Sequence, residues 1–401
     1  MRRSLCLLVV YLGLTAPALA GGWNNTLMGS RAVAMGAAFI AVADDPSAVY
    51  YNPAGLPFLE QRFSLSLNGF SVRPSHHYTG PQGNTLESRH DIAFPQVFFA
   101  YRSSERLTLA FGFYVPYAGG GVDWETNQPQ TLVKSSLGIA AFTPALAYRI
   151  SDRVSVGAYL NLYRGKLDFS SQGYPYGTLD VEESGSAITA GASLLIRVSE
   201  KFQVGLNVRG PARMTLRGNT RMPLTVPEFG AVDLRFDSET RFDLPWDVEA
   251  GAAFKASDRL QMSLSVQYTM WTALDTIEKT ITGIPEIDQI VEKEVLDFQN
   301  IMIVRAGAEY SLPGGLVLRG GFGVDRAASP LETLSLTNID VDKTTFLGGI
   351  GYRSGNTEIN FVFVRAYGKE RERTSSPQGM SFMESFNLDA SIWGLGVTFG
   401  F

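Results

Sequence analysis

Cysteine is almost absent from this chain of 401 residues, with Cys6 as its single example. Cys6 lies in a segment with the three parts of a secretory signal peptide: two arginines, an apolar run over residues 5–14 and an Ala-x-Ala sequence at 18–20. The apolar run is too short for a bilayer span, which needs about 20 apolar residues. We therefore expect residues 1–20 to be removed, which leaves a mature chain without disulfides, thiolate metal sites or cysteine nucleophiles.

Long hydrophobic runs and an excess of charge of one sign are lacking as well. The net charge is −5 and no basic block is present, which argues against nucleic-acid binding. After residue 20 no apolar segment is long enough for a transmembrane helix, although hydrophobic residues make up 45% of the chain. A secreted chain of this kind is either soluble or a membrane β-barrel, because lumen-facing residues dilute the lipid-facing ones in a barrel.

Residues for catalysis or metal binding are also scarce. The three histidines, His76, His77 and His90, fall in one predicted extracellular loop. Their spacing matches no standard set of metal ligands, so we expect them to be exposed loop residues. There is no G-x-S-x-G element and no histidine–carboxylate arrangement of a hydrolase. The sequence therefore predicts no enzyme activity, no metal and no cofactor.

Alternation with a period of two is the strongest pattern that the sequence contains. Apolar side chains occupy every second position in 107–115, 154–162, 202–208 and 260–266, with polar or small residues between them. Five such positions cover about 30 Å of strand at roughly 3.3 Å per residue. With a tilt of about 45° this length matches the apolar band of an outer-membrane barrel. Strands of soluble domains are usually shorter, at about 5–6 residues.

The connections between these runs are short and long in turn, which is the rim asymmetry of outer-membrane barrels. We predict about fourteen strands, near 62–73, 91–102, 106–118, 137–150, 153–168, 183–198, 201–215, 241–256, 259–274, 297–310, 315–328, 339–352, 356–369 and 386–401. The last strand alternates and ends on Phe401. Its aromatic end looks like the signal that the barrel-insertion machinery reads. The predicted fold is an all-β, membrane-spanning antiparallel barrel over residues 62–401.

A lumen of that width is too large for wall side chains alone to fill, so it must be wet, obstructed or occupied. Residues 21–61 lack strand alternation. Positions 32, 35, 39 and 42 are apolar and are spaced for one helical face. Asp45-Pro46 predicts the start of a short second turn, which Asn52-Pro53 would end. We interpret residues 21–61 as a small helical hatch in the lumen, with a periplasmic extension as the alternative.

The hatch also carries a family resemblance. The sequence GSRAVAMGAAFIAVADD at 29–45, followed by AVYYNPAGL at 48–56, resembles the N-terminal hatch of the FadL-like (OmpP1/FadL/TodX) transporters of long-chain fatty acids and aromatic hydrocarbons. The layout agrees over the whole chain, whereas the local similarity is strong only across 29–56. The resemblance implies passive diffusion of a hydrophobic ligand past the hatch and out through a gap beside a kinked strand.

The resemblance also implies roles for particular residues. Asn52, Pro53 and Ala54 match the hatch motif that faces the gap, and the acidic pair Asp44 and Asp45 belongs to the same gate. The kink is expected in the third strand, at Gly112 and Pro116, because glycine permits a bulge and proline removes a hydrogen-bond donor. A lateral exit is physically sensible, because returning an acyl chain to water costs about 0.8 kcal/mol per CH₂.

The predicted third extracellular loop, near 170–182, is short for a ligand-capturing loop of this family. We therefore expect capture by the loops near 216–240 and 275–296, through six apolar residues: Met222, Leu224, Val226, Ile281, Ile284 and Ile287. The sequence assigns no partner to a fatty acid carboxylate.

The expected location is the bacterial outer membrane, and the expected oligomeric state is a monomer. The expected partners are a fatty acid or hydrocarbon, outer-membrane lipid with lipopolysaccharide, and the barrel-insertion machinery. Two other functions stay open: a non-transporting barrel of a secretion or assembly complex, and a general diffusion porin. The hatch argues against an open porin.

Overall fold

The computed structural model describes residues 22–81, 83–89, 91–124, 133–173, 177–226, 230–284, 287–375 and 382–401. The predicted signal peptide and His90 lie outside these residues. The described β-segments are β1 (Phe63–Thr79), β2 (Thr85–Arg89), β3 (Ile92–Arg102), β4 (Leu107–Trp124), β5 (Val133–Arg149), β6 (Val154–Gly173), β7 (Gly177–Arg197), β8 (Phe202–Arg209), β9 (Ala212–Val226), β10 (Gly230–Leu244), β11 (Asp247–Lys255), β12 (Leu260–Thr269), β13 (Thr276–Ile284), β14 (Ile287–Val295), β15 (Ile301–Ser311), β16 (Leu316–Asp325), β17 (Lys343–Ser354), β18 (Thr357–Gly368), β19 (Arg371–Ser375) and β20 (Phe382–Gly400).

These segments form one closed antiparallel barrel. Each wall strand pairs with its neighbours along the chain, and β20 closes the ring on β1 from Ser64↔Gly400 to Thr79↔Ser385. Six wall strands are interrupted and consist of two segments each, namely β2/β3, β8/β9, β10/β11, β12/β13, β14/β15 and β18/β19. The described residues thus make a barrel of 14 strands, and the predicted fold class is confirmed. Closure leaves no free sheet edge.

The two faces of each wall strand differ as the alternation predicts. On β6 the outward side chains of Leu160 and Leu162 are 47% and 40% exposed, whereas Tyr159, Asn161 and Tyr163 are buried in the lumen. Apolar residues therefore face the surroundings and polar or aromatic residues face the interior, which is the inverse of a soluble fold. Lipid is the solvent for the outer face.

Several strands extend further beyond the apolar band than predicted. The predicted first loop is mostly strand, because β1 continues to Thr79 and pairs there with β2. This pairing corrects one expectation: His76 is only 1% exposed, and its ring contacts the Trp124 ring at a centroid distance of 6.2 Å. Within the described ranges, no group of three or more metal-ligating side chains is arranged to hold a metal ion.

The hatch fills the lumen with α1 (Ser30–Ala34), α2 (Ala48–Tyr51) and a 3₁₀ segment (Pro53–Phe58). The single helical face predicted for 32–42 is wrong, because Gly36 (φ 73°) and Ala37 (φ 56°) adopt left-handed backbone angles and end α1. The Asp45 carboxylate accepts hydrogen bonds from the N–H and hydroxyl of Ser47, so it caps the turn that leads into α2, while Ser47 is the N-cap of the helix itself. No helix in the described part of the chain is both long and apolar enough to cross a membrane.

Candidate functional site

The wall has a gap between β3 and β4. These strands pair only from Arg102↔Thr108 to Val97↔Phe113, although β4 continues to Trp124. Directly beyond, the pairing of β4 with β5 passes from Tyr114↔Ala141 to Tyr117↔Ile139.

Val115 and Pro116 therefore stand opposite Ala140 alone, which is a β-bulge that bends β4. Pro116 also has no N–H with which to continue a ladder. Together these features separate β4 from the residues of β3 that precede Val97.

The first described residues of the hatch cover the inner side of this gap. The Asn25 N–H donates to the Pro116 carbonyl at 2.8 Å, and the Asn25 side-chain amide donates to the Val115 carbonyl at 2.8 Å. On the β3 side, the Gly29 N–H donates to Gln96 Oε1 at 2.9 Å. We call residues 23–29 the gate segment. It supplies hydrogen-bond partners that β4 loses where it leaves β3.

A small cavity lies on the other side of the gate segment, against the wall strands β15–β18 and β20. One part of its lining is apolar and includes Leu27, Val364 and Ile392, while the other part carries Arg305, Asp325 and Lys343. Val364 and Ile392 belong to the same apolar cluster as Phe94 and Ala118, which flank the gap. Apolar surface thus runs continuously from the cavity to the gap.

The charged part of the cavity is unevenly paired. Arg305 lies 3.4 Å from the Asp325 carboxylate. Lys343 is buried, yet no carboxylate among the described residues lies within ion-pair distance of its ammonium group. The cavity holds about 70 Å³, which is room for a few water molecules. This volume is too small for a long hydrocarbon chain.

A buried network of ion pairs fixes the body of the hatch to the opposite wall. Arg31 of α1 pairs with Asp44 within the hatch and with Glu309 of β15 at 2.9 Å. Glu309 also pairs with Arg319 at 2.7 Å and with Arg353 at 2.8 Å. Removal of one partner would leave buried charge uncompensated, so the network holds the hatch firmly.

Glycines of the wall provide seats for the hatch backbone. An added Cβ at Gly307 would collide with the Met35 carbonyl, and one at Gly205 would collide with the Ile40 carbonyl. At Gly321 the backbone of Gly36 lies equally close. Side chains at these positions would hold the hatch away from the wall. Glycine is therefore required at these wall positions, because the hatch backbone approaches the strand backbone too closely for any side chain.

The predicted Asn-Pro-Ala motif contacts β6 and β7. The Asn52 amide donates to the Ile40 and Leu194 carbonyls at 2.8 and 3.1 Å, and its Oδ1 accepts from the Ala54 N–H at 3.1 Å. Pro53 begins the 3₁₀ segment, and the Ala54 carbonyl accepts from the Ser155 hydroxyl. These contacts lie on the wall away from the gap between β3 and β4, so the motif braces the hatch body.

The other predicted gate and kink residues occupy different places. Asp44 pairs with Arg31, and Asp45 lies 3.8 Å from the same guanidinium. Gly112 is paired with Phe98 and faces Val49 of the hatch, three residues before the bulge begins at Val115. Pro116 lies within the bulge.

Half of the predicted capture residues meet in one extracellular cluster. Ile281 is buried there with Phe169, Leu179 and Val181, and Met222, Phe236 and Ile284 pack against it. Leu224 and Val226 lie on β9, and Ile287 lies on β14. Phe401 is 68% exposed beside Phe399, and its backbone is hydrogen-bonded to Phe63.

Some functional residues were missed at the level of sequence. Arg305, Glu309 and Arg319 stand at inward positions of strands whose outward positions are apolar. Strand alternation alone places these charged side chains in the lumen, so the sequence could have indicated them as candidate site residues. Asn25 carried no such signal, because its partners lie about ninety residues away.

Comparison with known proteins agrees with this architecture. A sequence profile of the family described as outer membrane protein transport protein (OMPP1/FadL/TodX) matches residues 13–401. The chain belongs to this family. It is 23% identical over 395 residues to a 47 kDa outer membrane protein of Pasteurella multocida (strain Pm70), covering 90% of this chain and 89% of the relative.

Two solved structures share the fold. A Pseudomonas aeruginosa FadL homologue superposes with a TM-score of 0.78 at 17% identity, covering 97% of this chain and 99% of that one. The toluene transporter TodX of Pseudomonas putida gives a TM-score of 0.75 at 15% identity, covering 97% and 100%. The chain is thus an outer-membrane β-barrel, and its family consists of transport channels rather than enzymes.

Proposed function

We propose that this protein carries long-chain fatty acids or related hydrocarbons across the outer membrane by passive diffusion, with lateral exit between β3 and β4. The observation that supports this most is the continuous apolar surface from the lumen cavity to the gap. A ligand leaving through the gap stays in contact with apolar groups. It therefore avoids about 0.8 kcal/mol per CH₂ of hydration cost.

The gate segment is the part of the hatch that moves in this proposal. Hydrogen bonds to β4, Gln96 and Tyr51 and the packing of Trp23 against Trp271 hold it in place, whereas ion pairs and glycine seats fix the body behind it. Its displacement would join the cavity to the gap. The fold relatives named as a FadL homologue and a toluene transporter support a hydrophobic cargo.

The unpaired ammonium of Lys343 favours an amphiphilic anion among the possible cargoes. A carboxylate beside Lys343 and Arg305 would complete the charges of the cavity, and a hydrocarbon tail would follow the apolar lining toward Ile392. A pure hydrocarbon would leave the buried ammonium with only the carboxylates of Asp325, Asp340 and Asp389, which lie beyond ion-pair distance.

Deletion of Pro116 tests the lateral exit. It would restore one-to-one pairing of β4 with β5 while Tyr114 and Tyr117 keep facing the lumen. We expect uptake of labelled oleate by cells that lack other transporters to fall at least about tenfold, with the barrel still heat-modifiable on gels. Pro116→Ala keeps the bulge and is the matched control, with uptake near that of the wild type. Unchanged uptake after the deletion would refute lateral exit.

The alternative functions have separate tests. Rapid swelling of proteoliposomes in small sugars would support a general diffusion porin. Absence of bound lipid together with co-purifying protein partners would support a role in a secretion or assembly complex. We further propose that the protein works as a monomer that the barrel-insertion machinery places in lipid and lipopolysaccharide.

A further inference from the structure

The loop between β16 and β17, residues 326–342, is folded into the extracellular mouth of the barrel. Leu334 is 2% exposed, and Ile339 and Val341 are fully buried. Such burial is unusual for a long connection, because loops generally run over the surface. We call residues 326–342 the lid loop.

The lid loop reaches from one side of the mouth to the other. On one side, the Thr333 hydroxyl donates to the Leu296 carbonyl at 2.9 Å, and Leu296 directly follows β14. On the other side, the Trp124 indole N–H at the end of β4 donates to the Leu336 carbonyl at 2.8 Å. The wall strands of β14 and β4 are the tenth and third of 14, so they lie half a circumference apart.

Apolar side chains of the lid loop pack on an apolar floor. Leu334, Ile339 and Val341 form one cluster with the inward residues Val122, Trp124, Phe386 and Leu388. Tyr78 and Leu86 are packed against the same cluster. A displaced lid would expose this floor at the outer end of the lumen, which is a site for a hydrocarbon chain or ring.

Two arginines of β19 clamp the lid loop through backbone carbonyls. Arg371 donates to the Ser329 and Asp340 carbonyls at 2.8 and 3.0 Å. Arg373 donates to the Leu334 carbonyl at 3.1 Å and is held by Glu384 at 2.7 Å. These hydrogen bonds come from side chains and are not part of the ladder between wall strands, so the loop can detach without unfolding a wall strand.

We infer that the lid loop closes the extracellular mouth and that a hydrophobic ligand first binds the apolar floor of Trp124, Phe386 and Leu388 when the loop lifts. The inference rests on the proposed function only for the nature of the ligand. The protein thus has two closures in series, the lid loop above the cavity and the gate segment beside it. Opening only one of the two closures does not expose a continuous path from the extracellular mouth to the gap between β3 and β4.

A cysteine reporter tests the lid in purified full-length protein. Ala390→Cys is a small change in the cavity lining, two residues from Leu388 of the floor. Cys6 lies in the predicted signal peptide, so the mature chain offers no competing thiol. The reaction rate with a charged methanethiosulfonate reagent reports access to the lumen. Ser199→Cys, in an exposed periplasmic turn, normalises the rate.

We expect Arg371→Ala together with Arg373→Ala to raise the normalised rate at least about tenfold. Arg221→Ala is the matched control: Arg221 lies on β9 and pairs with Asp233 at 2.8 Å, away from both the lid loop and the reporter, so the rate should stay unchanged. A second variant, with residues 330–339 replaced by Gly-Ser-Gly, should raise the rate further. Equal rates in the wild type and both lid variants would overturn the inference.

Oleate uptake by the same variants separates this inference from the proposed function. Faster cysteine modification without uptake in any variant, the wild type included, would support the lid and refute transport. Phe386→Ser makes the floor less apolar. Added to the Arg371→Ala, Arg373→Ala variant, it should weaken oleate binding about tenfold. Undiminished binding would refute the floor as the first binding site.

Discussion

Asn25 of the hatch and Pro116 of the kinked strand are joined by a backbone hydrogen bond of 2.8 Å. A second bond runs from the Asn25 side chain to the Val115 carbonyl. The residue that would block a gap in the wall is thus held by the bulge that creates the gap. In the proposed lateral exit, closure and opening would both depend on these hydrogen bonds.

Replacement of Asn25 by alanine should loosen the gate segment. The side chain makes hydrogen bonds to Val115 and to the Leu27 N–H, and a net loss of about 1 kcal/mol shifts the gate equilibrium roughly fivefold toward open. Single-channel recordings should show longer open times. Asn356→Ala, in an exposed periplasmic turn, is the control and should behave as the wild type. Open times that do not change would contradict the role of the gate segment.

Neutralisation of Glu309 should destabilise the hatch strongly. Glu309→Gln leaves Arg31, Arg319 and Arg353 with too little negative charge, at a cost of about 3–5 kcal/mol. Thermal unfolding followed by gel mobility measures the effect. Glu200→Gln, an exposed change in a periplasmic turn, should leave the unfolding temperature unaltered. Similar unfolding temperatures for both variants would show that the network is dispensable.

Addition of a methyl group at Gly307 should push the hatch from its seat. Gly307→Ala places a Cβ against the Met35 carbonyl, and overpacking of this kind costs about 1–3 kcal/mol. Gly320→Ala offers the matched control, because its Cβ would have no heavy atom closer than 4.0 Å. We expect a lower unfolding temperature and more frequent channel openings for the first variant alone. Equal behaviour of the two would rule out a tight seat.

Closure of the lid loop should depend on pH through Asp340. Its carboxylate accepts the N–H groups of Ala328 and Ser329 at 2.6 and 3.0 Å, yet burial raises the pKa of Asp340 to about 6. Lys343 and Arg371 face it and partly oppose that increase. In an open lid the pKa of the carboxyl would return to the ordinary value near 4.

The closed lid therefore binds a proton more tightly than the open lid. Stabilisation of closure is complete below about pH 4 and is lost as the pH rises through 6. We expect the normalised modification rate of the Ala390→Cys reporter to increase at least threefold between pH 5 and pH 7.5. Asp340→Asn should abolish this dependence. A rate that is flat with pH in the wild-type lid would exclude Asp340 as the titrating group.

Much of the barrel could be read from the sequence because strand alternation is a local property. Leu160 and Leu162 had to face lipid once Tyr159 and Asn161 faced the lumen, whatever their neighbours were. Even the fourteen strands followed from runs of this kind. The predicted strand ends were less accurate outside the membrane. There β1 and β2 pair largely through polar residues, whose sequence does not alternate between apolar and polar positions.

Within the hatch, Asn52 before Pro53 correctly marked the end of a helix, since the residue before proline leaves the helical region. The helix expected over 32–42 failed because Gly36 and Ala37 turn the chain against Gly321 and Ala306 of the wall. At this point the contact with the wall determined the backbone conformation, and the helical spacing of the apolar residues did not.

The sequence by itself determined an outer-membrane barrel with an apolar outer face and a hatch-like segment before its first strand. Only the tertiary structure decided that Arg31 meets Glu309, 278 residues away, and that Asn25 meets the bulge of β4. It alone brought the lid loop across the mouth to Trp124. The reason is physical: alternation acts between neighbouring residues, whereas the contacts inside a closed lumen join positions whose separation along the chain has no period.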